Sequence, residues 1–212
     1  MKPSFWQQKW ENNNIGFHKN EANPALVNHF STLNLPKGQR VFLPLCGKTL
    51  DIPWLLSQGY RVAGAELVQM AVEQLFDELG IVPTITDLDT ISRYSAPQLD
   101  IFVGNIFDLS GSTLGPVDAV YDRAALVALP PDLRLRYTAH LRAITHTAPQ
   151  LLITFTYDQT LMAGPPFAIS REEVHQHYSD TYTLSPIASA DIPGGFKGNA
   201  AKEHVWRLAV AK

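Results

Sequence analysis

The chain has 212 residues, 45% of them hydrophobic and 17% charged, a composition typical of one compact globular domain over residues 1–212. Its 17 basic and 20 acidic side chains are mixed in sign, give a formal net charge of -3 and form no basic run, so we expect no nucleic-acid partner. A single cysteine excludes an intrachain disulfide, and no apolar stretch approaches the roughly 20 residues of a membrane-spanning helix or resembles a secretion signal, so we expect a cytoplasmic protein with no membrane partner.

The N-terminal segment carries aromatic residues at helical spacing. Trp6 and Trp10 lie four residues apart, so they share one face of a helix, and a turn over residues 12–16 directs Phe17 back over that face. One interpretation is a hydrophobic helix docked on the core. The other is a lid over a ligand pocket, since ligands of open parallel sheets bind outside the carboxyl ends of the strands.

A second helical piece, residues 24–33, follows and is predicted to begin at Asn23. We expect the helical lid to span residues 1–35. The remaining residues, 36–212, then form a Rossmann-like core within the same single domain.

Strand-like and helical patterns alternate from residue 40 onward. The strand candidates are residues 41–45, 62–66, 100–103, 117–121, 150–157, 182–189 and 204–211. The helix candidates are residues 50–57, 67–79, 132–145 and 170–178. This alternation predicts an α/β fold with a doubly wound, Rossmann-like, seven-stranded and mostly parallel sheet, helices on both faces and an antiparallel C-terminal hairpin.

Local signals mark the ends of these helices. Gly59 and Gly80 are predicted to stop the first two, because glycine accepts the left-handed conformation that ends a helix. Asp132 is predicted to cap the third. Ser170 with Glu173 forms a capping box for the last.

The segment from Arg40 to Glu66 is typical of a nucleoside-binding βαβ unit. An apolar strand leads into a turn containing Gly47, and a second strand ends in the carboxylate of Glu66 about 20 residues later, where a ribose can present its two hydroxyls. The turn has one glycine where a dinucleotide fingerprint needs three, which favours a cofactor with ribose but no pyrophosphate. A nicotinamide-dependent oxidoreductase and a non-catalytic nucleoside-binding module remain as alternatives.

Residues with reactive or metal-binding side chains give no further site. Cys46 follows a buried strand and is interpreted as a packing residue, because a lone cysteine next to a buried strand usually packs in the core. His175 and His177 are two apart on a predicted helix, so they face different directions and are expected to be solvated. No metal site is predicted.

Several blocks of sequence occur in an order typical of one enzyme family. They are Trp6-Gln-Gln-Lys-Trp10 with Ile15-Gly-Phe-His18, Phe42-Leu-Pro-Leu-Cys-Gly-Lys48, Gly64-Ala-Glu-Leu67, Asn105-Ile-Phe-Asp-Leu109, Tyr121-Asp-Arg-Ala-Ala-Leu-Val-Ala128 and Gly164-Pro-Pro-Phe167. From Phe5 to Ala211 the chain resembles the bacterial thiopurine S-methyltransferases. The resemblance implies a class I fold with S-adenosylmethionine as cofactor and transfer of its methyl group to the sulfur of an aromatic or heterocyclic thiol, with selenium and tellurium acceptors as further candidates. We expect a monomer acting on a small molecule.

The matched positions supply the candidate cofactor site. Glu66 is assigned to the ribose, and Leu45 and Gly47 to the turn that approaches the methionine and ribose parts of the cofactor. The resemblance places Asn105 and Ile106 against the adenine and Trp10 over the methionine end. The alternatives are a surface carboxylate for Glu66, a plain helix-entry turn for Gly47 and a turn cap for the neighbouring Asp108.

The candidate acceptor site centres on Arg123, just past the fourth strand candidate. Its guanidinium is predicted to face an anion, either the cofactor's carboxylate or an acceptor thiolate, directly or through water; a surface ion pair is the alternative. Phe17, Pro166 and Phe167 are assigned to the flat ring of the acceptor, with a tight connection as the alternative for the loop. We expect Arg123 to be the catalytic residue, with no general base required.

Overall fold

The computed structural model describes residues 3–211, which form one nine-stranded sheet with helices packed on it. In chain order the strands are β1 (Arg40–Pro44), β2 (Arg61–Glu66), β3 (Thr84–Asp87), β4 (Ser92–Ala96), β5 (Leu99–Val103), β6 (Ala119–Asp122), β7 (Gln150–Tyr157), β8 (Tyr182–Asp191) and β9 (Ala201–Val210). The helices are α1 (Pro3–Glu11), α2 (Pro24–His29), α3 (Asp51–Ser57), α4 (Gln69–Leu79), α5 (Gly111–Leu114), α6 (Pro131–Ile144) and α7 (Arg171–Tyr178).

The strand order places a topological switch at the centre of the sheet. The order is β3-β4-β5-β2-β1-β6-β7-β9-β8, and the five strands from β5 to β7 are parallel. The chain runs outward from β1 to β2 and β5, then returns to the other side of β1 with β6 and β7. The crevice outside the carboxyl ends of β1, β2 and β6 is therefore where an open sheet of this kind binds its ligand.

The predicted class of fold is confirmed, and the predicted strand count is wrong. All seven predicted strands are present, and the C-terminal hairpin pairs β8 with β9 in the antiparallel direction. Two further strands, β3 and β4, form an antiparallel hairpin on the edge beside β5. Most of their residues are polar and β3 is mostly exposed, so no apolar run marks them in the sequence; Tyr94 of β4 is buried in the core.

Two of the predicted helix signals have different outcomes. α4 ends at Gly80, which takes the left-handed conformation with φ of 66°, as predicted. The prediction that Asp132 caps α6 is wrong, because the helix already begins at Pro131 and Asp132 lies in its first turn. Proline is favoured at the first helical position, where its missing N–H is not needed.

The two faces of the sheet are covered by different helices. Along β6, consecutive side chains point to opposite faces. Asp122 accepts a hydrogen bond from the hydroxyl of Tyr137 in α6 at 2.8 Å. Tyr121 faces the opposite way, toward Asp51 at the start of α3. The start of α3 thus lies on one face of β6, and α6 lies on the other.

The N-terminal residues fold as the aromatic spacing predicts. Trp6 and Trp10 in α1 both contact the ring of Phe17 edge-on, at centroid distances of 5.8 and 5.7 Å. Trp10 also packs with Val68 and Ala71 beside and within α4. The docked hydrophobic helix is therefore present.

The predicted caps of α2 and α7 are both present in the structure. Asn23 caps α2, its side chain accepting from the N–H of Ala25, as predicted. Ser170 caps α7 by accepting from the N–H of Glu173. The expectation that both helical histidines are solvated is wrong for His177, which is 6% exposed and lies 3.4 Å from Glu173.

Within residues 3–211, no helix combines the length and apolar character needed to cross a membrane.

Candidate cofactor and acceptor site

Glu66 joins the carboxyl end of β2 to the turn after β1. Its carboxylate is 7% exposed, and its two oxygens accept from the backbone N–H groups of Gly47 and Val68, each at 2.8 Å. Burial raises the pKa of this carboxyl, while the backbone N–H groups oppose the rise. Each oxygen keeps a lone pair, so the carboxylate can still accept from the two hydroxyls of a ribose.

The turn after β1 is tightly built. Leu45 and Gly47 both take left-handed backbone conformations, with φ of 49° and 53°. A Cβ at Gly47 would lie 3.1 Å from Trp10, so the turn has little room for a side chain. A non-glycine residue such as Leu45 in this region costs on the order of 1–3 kcal/mol, and such strain concentrates at ligand-binding sites. Trp10, which is 5% exposed, covers the turn from the side of α1.

Asn105 and Ile106 follow β5 at the same edge of the sheet. Asn105 is exposed, and its side-chain oxygen accepts from the N–H of Phe107 at 3.1 Å, so Asn105 caps the short helical turn. This leaves its amide NH₂ group free to donate. Ile106 is buried, and its carbonyl oxygen lies 2.7 Å from the ring of His140 in α6. Asp108 lies in the turn without capping it.

Arg123 follows β6 and is partly buried. It takes part in none of the ion pairs within residues 3–211, and its Nε is buried without a hydrogen-bond partner there. The neighbouring Asp122 is turned away, accepting from the N–H of Leu126 and the hydroxyl of Tyr137. The next residue, Ala124, has φ of 63°, a second left-handed non-glycine residue at a strand end. Within residues 3–211 no carboxylate forms an ion pair with this cation, and the charge of Glu203 acts on it from a longer distance.

The residues assigned to the acceptor ring are only partly brought together. Phe17 lies against Trp6 and Trp10, next to the cofactor turn. The N–H of Phe167 donates to the carbonyl of Val127 at 2.7 Å, which places the loop beside the segment that follows Arg123.

The side chains of that loop are engaged elsewhere. The carbonyl of Pro166 accepts from the hydroxyl of Tyr157 at 2.6 Å. The ring of Phe167 lies under the guanidinium of Arg134 in α6, 5.3 Å from the ring centroid. Among residues 3–211 no aromatic pair joins Phe17 to Phe167. The loop borders the crevice, with the Phe167 ring turned toward α6.

Two buried polar residues at this edge were missed by the sequence analysis. Asp51 is 1% exposed, and one oxygen accepts from the N–H of Asn23 at 2.6 Å. Tyr121 is 2% exposed, and burial followed by the charge of Asp51 raises the pKa of its hydroxyl well above the usual value. The only sequence signal was the alternation along β6, which sends Tyr121 to the face opposite Asp122.

The mouth of the crevice carries further charges. Lys48 pairs with Glu78 of α4 at 2.6 Å. His18 lies nearby, and burial, followed by the charge of Lys48, lowers the pKa of its imidazole. Cys46 is buried and free, and burial together with the charge of Glu66 raises the pKa of its thiol well above the usual value. A thiol with so little thiolate character fits the packing role predicted for it.

The sequence matches one enzyme family along nearly its whole length. The model of the family "Thiopurine S-methyltransferase (TPMT)" matches residues 1–209. The chain is 57% identical over 210 residues to a thiopurine S-methyltransferase of Xanthobacter autotrophicus, covering 98% of this chain and 99% of that one. It is 47% identical over 210 residues to a thiopurine S-methyltransferase of Teredinibacter turnerae, covering 99% and 98%.

Solved structures share the fold at low sequence identity. A 1,6-didemethyltoxoflavin-N1-methyltransferase of Burkholderia thailandensis, solved with 1,6-didemethyltoxoflavin and S-adenosylhomocysteine bound, superposes with a TM-score of 0.66 and 18% identity, covering 98% of this chain and 87% of that one. An S-adenosylmethionine-dependent methyltransferase of Anabaena variabilis gives a TM-score of 0.66 and 13% identity, covering 98% and 94%.

These comparisons decide between the alternatives that the βαβ unit left open. The relatives match this chain over nearly its whole length, and they are named as one transferase. This rules out a nicotinamide-dependent oxidoreductase and a non-catalytic nucleoside-binding module. Together with the buried carboxylate and the crevice at the switch point, they show that the chain belongs to the thiopurine S-methyltransferase family, is an enzyme and uses S-adenosylmethionine as its cofactor.

Proposed function

We propose that the enzyme transfers the methyl group of S-adenosylmethionine to the sulfur of aromatic or heterocyclic thiols. The observation that carries the acceptor class is Arg123, a partly buried guanidinium at the end of β6 that has no ion-pair partner within the described chain. A cation held in this way favours an anionic ligand, and a thiolate is the reactive form of a thiol.

The residues around Glu66 fit an adenosyl cofactor. The Glu66 carboxylate has lone pairs left for two ribose hydroxyls, and Gly47 adds no side chain to the turn between Glu66 and Trp10. Ile106 offers a buried apolar side chain and Asn105 a free amide NH₂ group for the edge of an adenine. The cofactor supplies a methyl carbon already activated by its positively charged sulfur.

The reaction depends more on the alignment of the two reactants by the protein than on proton transfer to a protein group. A bound cofactor would supply the methyl carbon and would take the electron pair of the broken carbon–sulfur bond onto its own sulfur. The acceptor thiol would lose its proton to solvent and attack that carbon through its sulfur lone pair. A free thiol has a pKa of about 8.5, and a nearby cation increases the thiolate fraction at neutral pH. Arg123 serves this purpose, directly or through water.

We also propose that residues 1–35 act as a lid on the core of residues 36–212. α1 packs on the turn after β1 through Trp10, so the indole of Trp10 would shield a ligand bound at that turn from water. Excluding water strengthens the electrostatic interactions inside the site. Phe17, which contacts both tryptophans, is the residue of this segment that would border the acceptor.

Selenols and tellurols form a natural extension of the acceptor class. Their anions are softer and more polarisable than thiolates, and the same in-line attack on a methyl carbon requires no additional group. The Pro166 and Phe167 loop and Phe17 would border the flat part of any such acceptor.

The test is a screen of thiols and selenols with labelled S-adenosylmethionine. We expect Arg123→Ala to lower kcat/KM at least about tenfold for weakly acidic thiols, the loss of one charged interaction, and less for acidic heterocyclic thiols. The pH profile of kcat/KM should also move to higher pH in this variant. Phe17→Ala should raise KM for aromatic acceptors.

An exposed arginine provides the control. Arg171 lies in the first turn of α7 and is solvent-exposed, so Arg171→Ala should behave as the wild type. Wild-type-like turnover and cofactor binding in Arg123→Ala would show that the guanidinium has no part in the reaction. If the enzyme transfers a methyl group to no thiol or selenol in the screen, the proposed class of acceptors is wrong.

A further inference from the structure

His18 has a buried ring nitrogen without a hydrogen-bond partner. Its Nδ1 is buried, and no group within residues 3–211 forms a hydrogen bond with it. The residue as a whole is only half-buried, so part of the imidazole meets solvent. Buried polar groups are nearly always paired, so this nitrogen is available for a ligand of the crevice.

A short turn holds His18 beside the residue assigned to the acceptor ring. The N–H of His18 donates to the carbonyl of Ile15 at 2.7 Å, which closes the turn. The preceding residue, Phe17, packs against Trp6 and Trp10, and Trp10 lies on the turn after β1. The backbone at His18 is therefore fixed next to the place where an acceptor would border Phe17.

Three charged side chains from three other segments act on the imidazole. They are Lys48 in the turn after β1, Glu78 in α4 and Arg123 after β6, and the exposed Lys19 follows His18 in the chain. Burial, followed by the charge of Lys48, lowers the pKa of the imidazole; the charge of Glu78 opposes this change and that of Arg123 adds to it. Because the ordinary pKa is about 6.5, the ring is neutral at pH 7 and has one nitrogen free to accept a proton.

The imidazole differs from the charged groups around it in its proton chemistry. The lysine and arginine side chains are already protonated at pH 7, and Glu78 is paired with Lys48 at 2.6 Å. Of these groups, the imidazole is the one suited both to take a proton from a ligand and to pass one to water at neutral pH. A thiol that binds in its protonated form under the proposed lid needs such an acceptor, because the lid shields it from water.

We propose that the Nδ1 of His18 takes the proton of the acceptor thiol, so that His18 is a second catalytic residue. The S–H bond breaks, its electron pair stays on the sulfur, and the lone pair of Nδ1 forms the new N–H bond. The imidazolium then releases the proton on its Nε2 to solvent, and Arg123 faces the thiolate. His18 thus carries to solvent the proton that the thiol loses. This inference rests on the proposed methylation of thiols and adds a group to its mechanism.

The experiment compares an acceptor that must lose a proton with one that need not. The thiol of benzyl mercaptan is mainly protonated at pH 7, and that of 4-nitrothiophenol is mainly ionised. In His18→Asn the side-chain oxygen can take the place of Nδ1 and accept a hydrogen bond, but it takes up no proton at this pH. We expect His18→Asn to lower kcat/KM at pH 7 at least about tenfold for benzyl mercaptan and to leave that for 4-nitrothiophenol almost unchanged.

The pH profile separates proton transfer from packing. For benzyl mercaptan, the wild-type kcat/KM should stay level between the pKa of His18 and the higher pKa of the thiol. In His18→Asn only thiolate that is already present reacts, so kcat/KM should rise about tenfold per pH unit over this range and meet the wild-type value above the pKa of the thiol. Added imidazole should restore part of the rate at pH 7 in His18→Ala.

His146 provides the matched control. It is an exposed histidine after α6, and its backbone has φ of 49°, a conformation that asparagine accepts readily. His146→Asn should therefore show the wild-type pH profile with both acceptors.

Two kinds of result would overturn the proposal at different levels. If the wild type methylates both thiols and His18→Asn keeps the wild-type pH profile with benzyl mercaptan, His18 takes no proton. The same conclusion follows if His18→Asn loses rate equally at every pH and with both acceptors, since a structural effect does this. If the wild type methylates neither thiol, the proposed function fails first and this inference with it.

Discussion

The carboxylate of Glu66 is held in place by backbone N–H groups of neighbouring segments. By accepting from the N–H groups of Gly47 and Val68, it fixes the turn after β1 and the start of α4 before any ligand is present. A charged acceptor that is already oriented loses little conformational entropy on binding. The same contacts give Glu66 a structural role in addition to the ribose contact that the sequence predicts.

We predict that Glu66→Ala raises the dissociation constant of S-adenosylmethionine at least about tenfold, because one or two charged hydrogen bonds are lost. Glu66→Gln should have a smaller effect, since one carboxyl-like oxygen remains to accept. Isothermal titration measures both. Glu73, which is exposed on α4, provides the control variant Glu73→Ala. Unchanged affinity in Glu66→Ala would contradict the assignment of this residue to the ribose.

α1 depends on its packing for its helical structure. It has nine residues, fewer than the roughly 12–15 at which an isolated helix becomes even marginally stable in water. Its attachment runs through Trp10, which packs on Gly47, Val68 and Ala71. Trp10 is the buried residue of α1, and the partly buried Trp6 packs against the same small cluster. So limited an attachment is expected of a segment that opens separately from the core.

We predict that Trp10→Ala releases α1 without unfolding the sheet. Replacing a buried tryptophan by alanine removes about 3–5 kcal/mol of packing in a core, and roughly 1.4 kcal/mol already multiplies an open population by ten. Limited proteolysis should therefore cut residues 12–16 more than about tenfold faster than in the wild type. Amides of β1 and β6 should keep their protection from hydrogen exchange.

Gln8 is exposed on the same helix, so Gln8→Ala should be cut at the wild-type rate. Equal cleavage of Trp10→Ala and the wild type would show that other contacts hold α1.

Across the whole molecule, buried carboxyl groups favour the folded state at mildly acid pH. Burial raises the pKa of the carboxyl groups of Glu66, Asp122 and Glu203. The side chains of Asp122 and Glu203 lie on opposite faces of the sheet. For Asp122 the pKa rises from 3.8 to about 6. Between these values the folded protein binds more protons than the unfolded chain, so the contribution of this group to stability falls as the pH rises through the window.

We predict that the contribution of Asp122 to the free energy of unfolding falls by about 3 kcal/mol as the pH rises from about 4 to above about 6. This is the free energy that corresponds to the pKa shift of Asp122. Asp122→Asn removes the titration. The difference in unfolding free energy between the wild type and Asp122→Asn, measured by urea denaturation at several pH values, should therefore fall as the pH rises. Asp132→Asn, on an exposed side chain, is the control. A pH-independent difference for Asp122→Asn would show that the carboxyl does not titrate in this window.

The order of strands and helices, the helical N-terminal segment and the carboxylate at the end of β2 follow from the sequence alone. Each depends on signals within one segment: apolar runs, aromatic spacing, and a turn glycine followed by a strand. The hairpin of β3 and β4 was not predicted, because most of its residues are polar and no apolar run marks them, although β4 pairs with the neighbouring β5 across residues 97–98.

Only the tertiary structure decided which side chains meet at the crevice. Asp51, Tyr121 and Glu203 come from three separated parts of the chain, and the register of β6, β7 and β9 sets their common face. The tertiary structure also turned the ring of Phe167 toward Arg134 and left Arg123 without an ion-pair partner within the described chain. Pairing of buried charges depends on distances in space, and local sequence patterns carry no information about those distances.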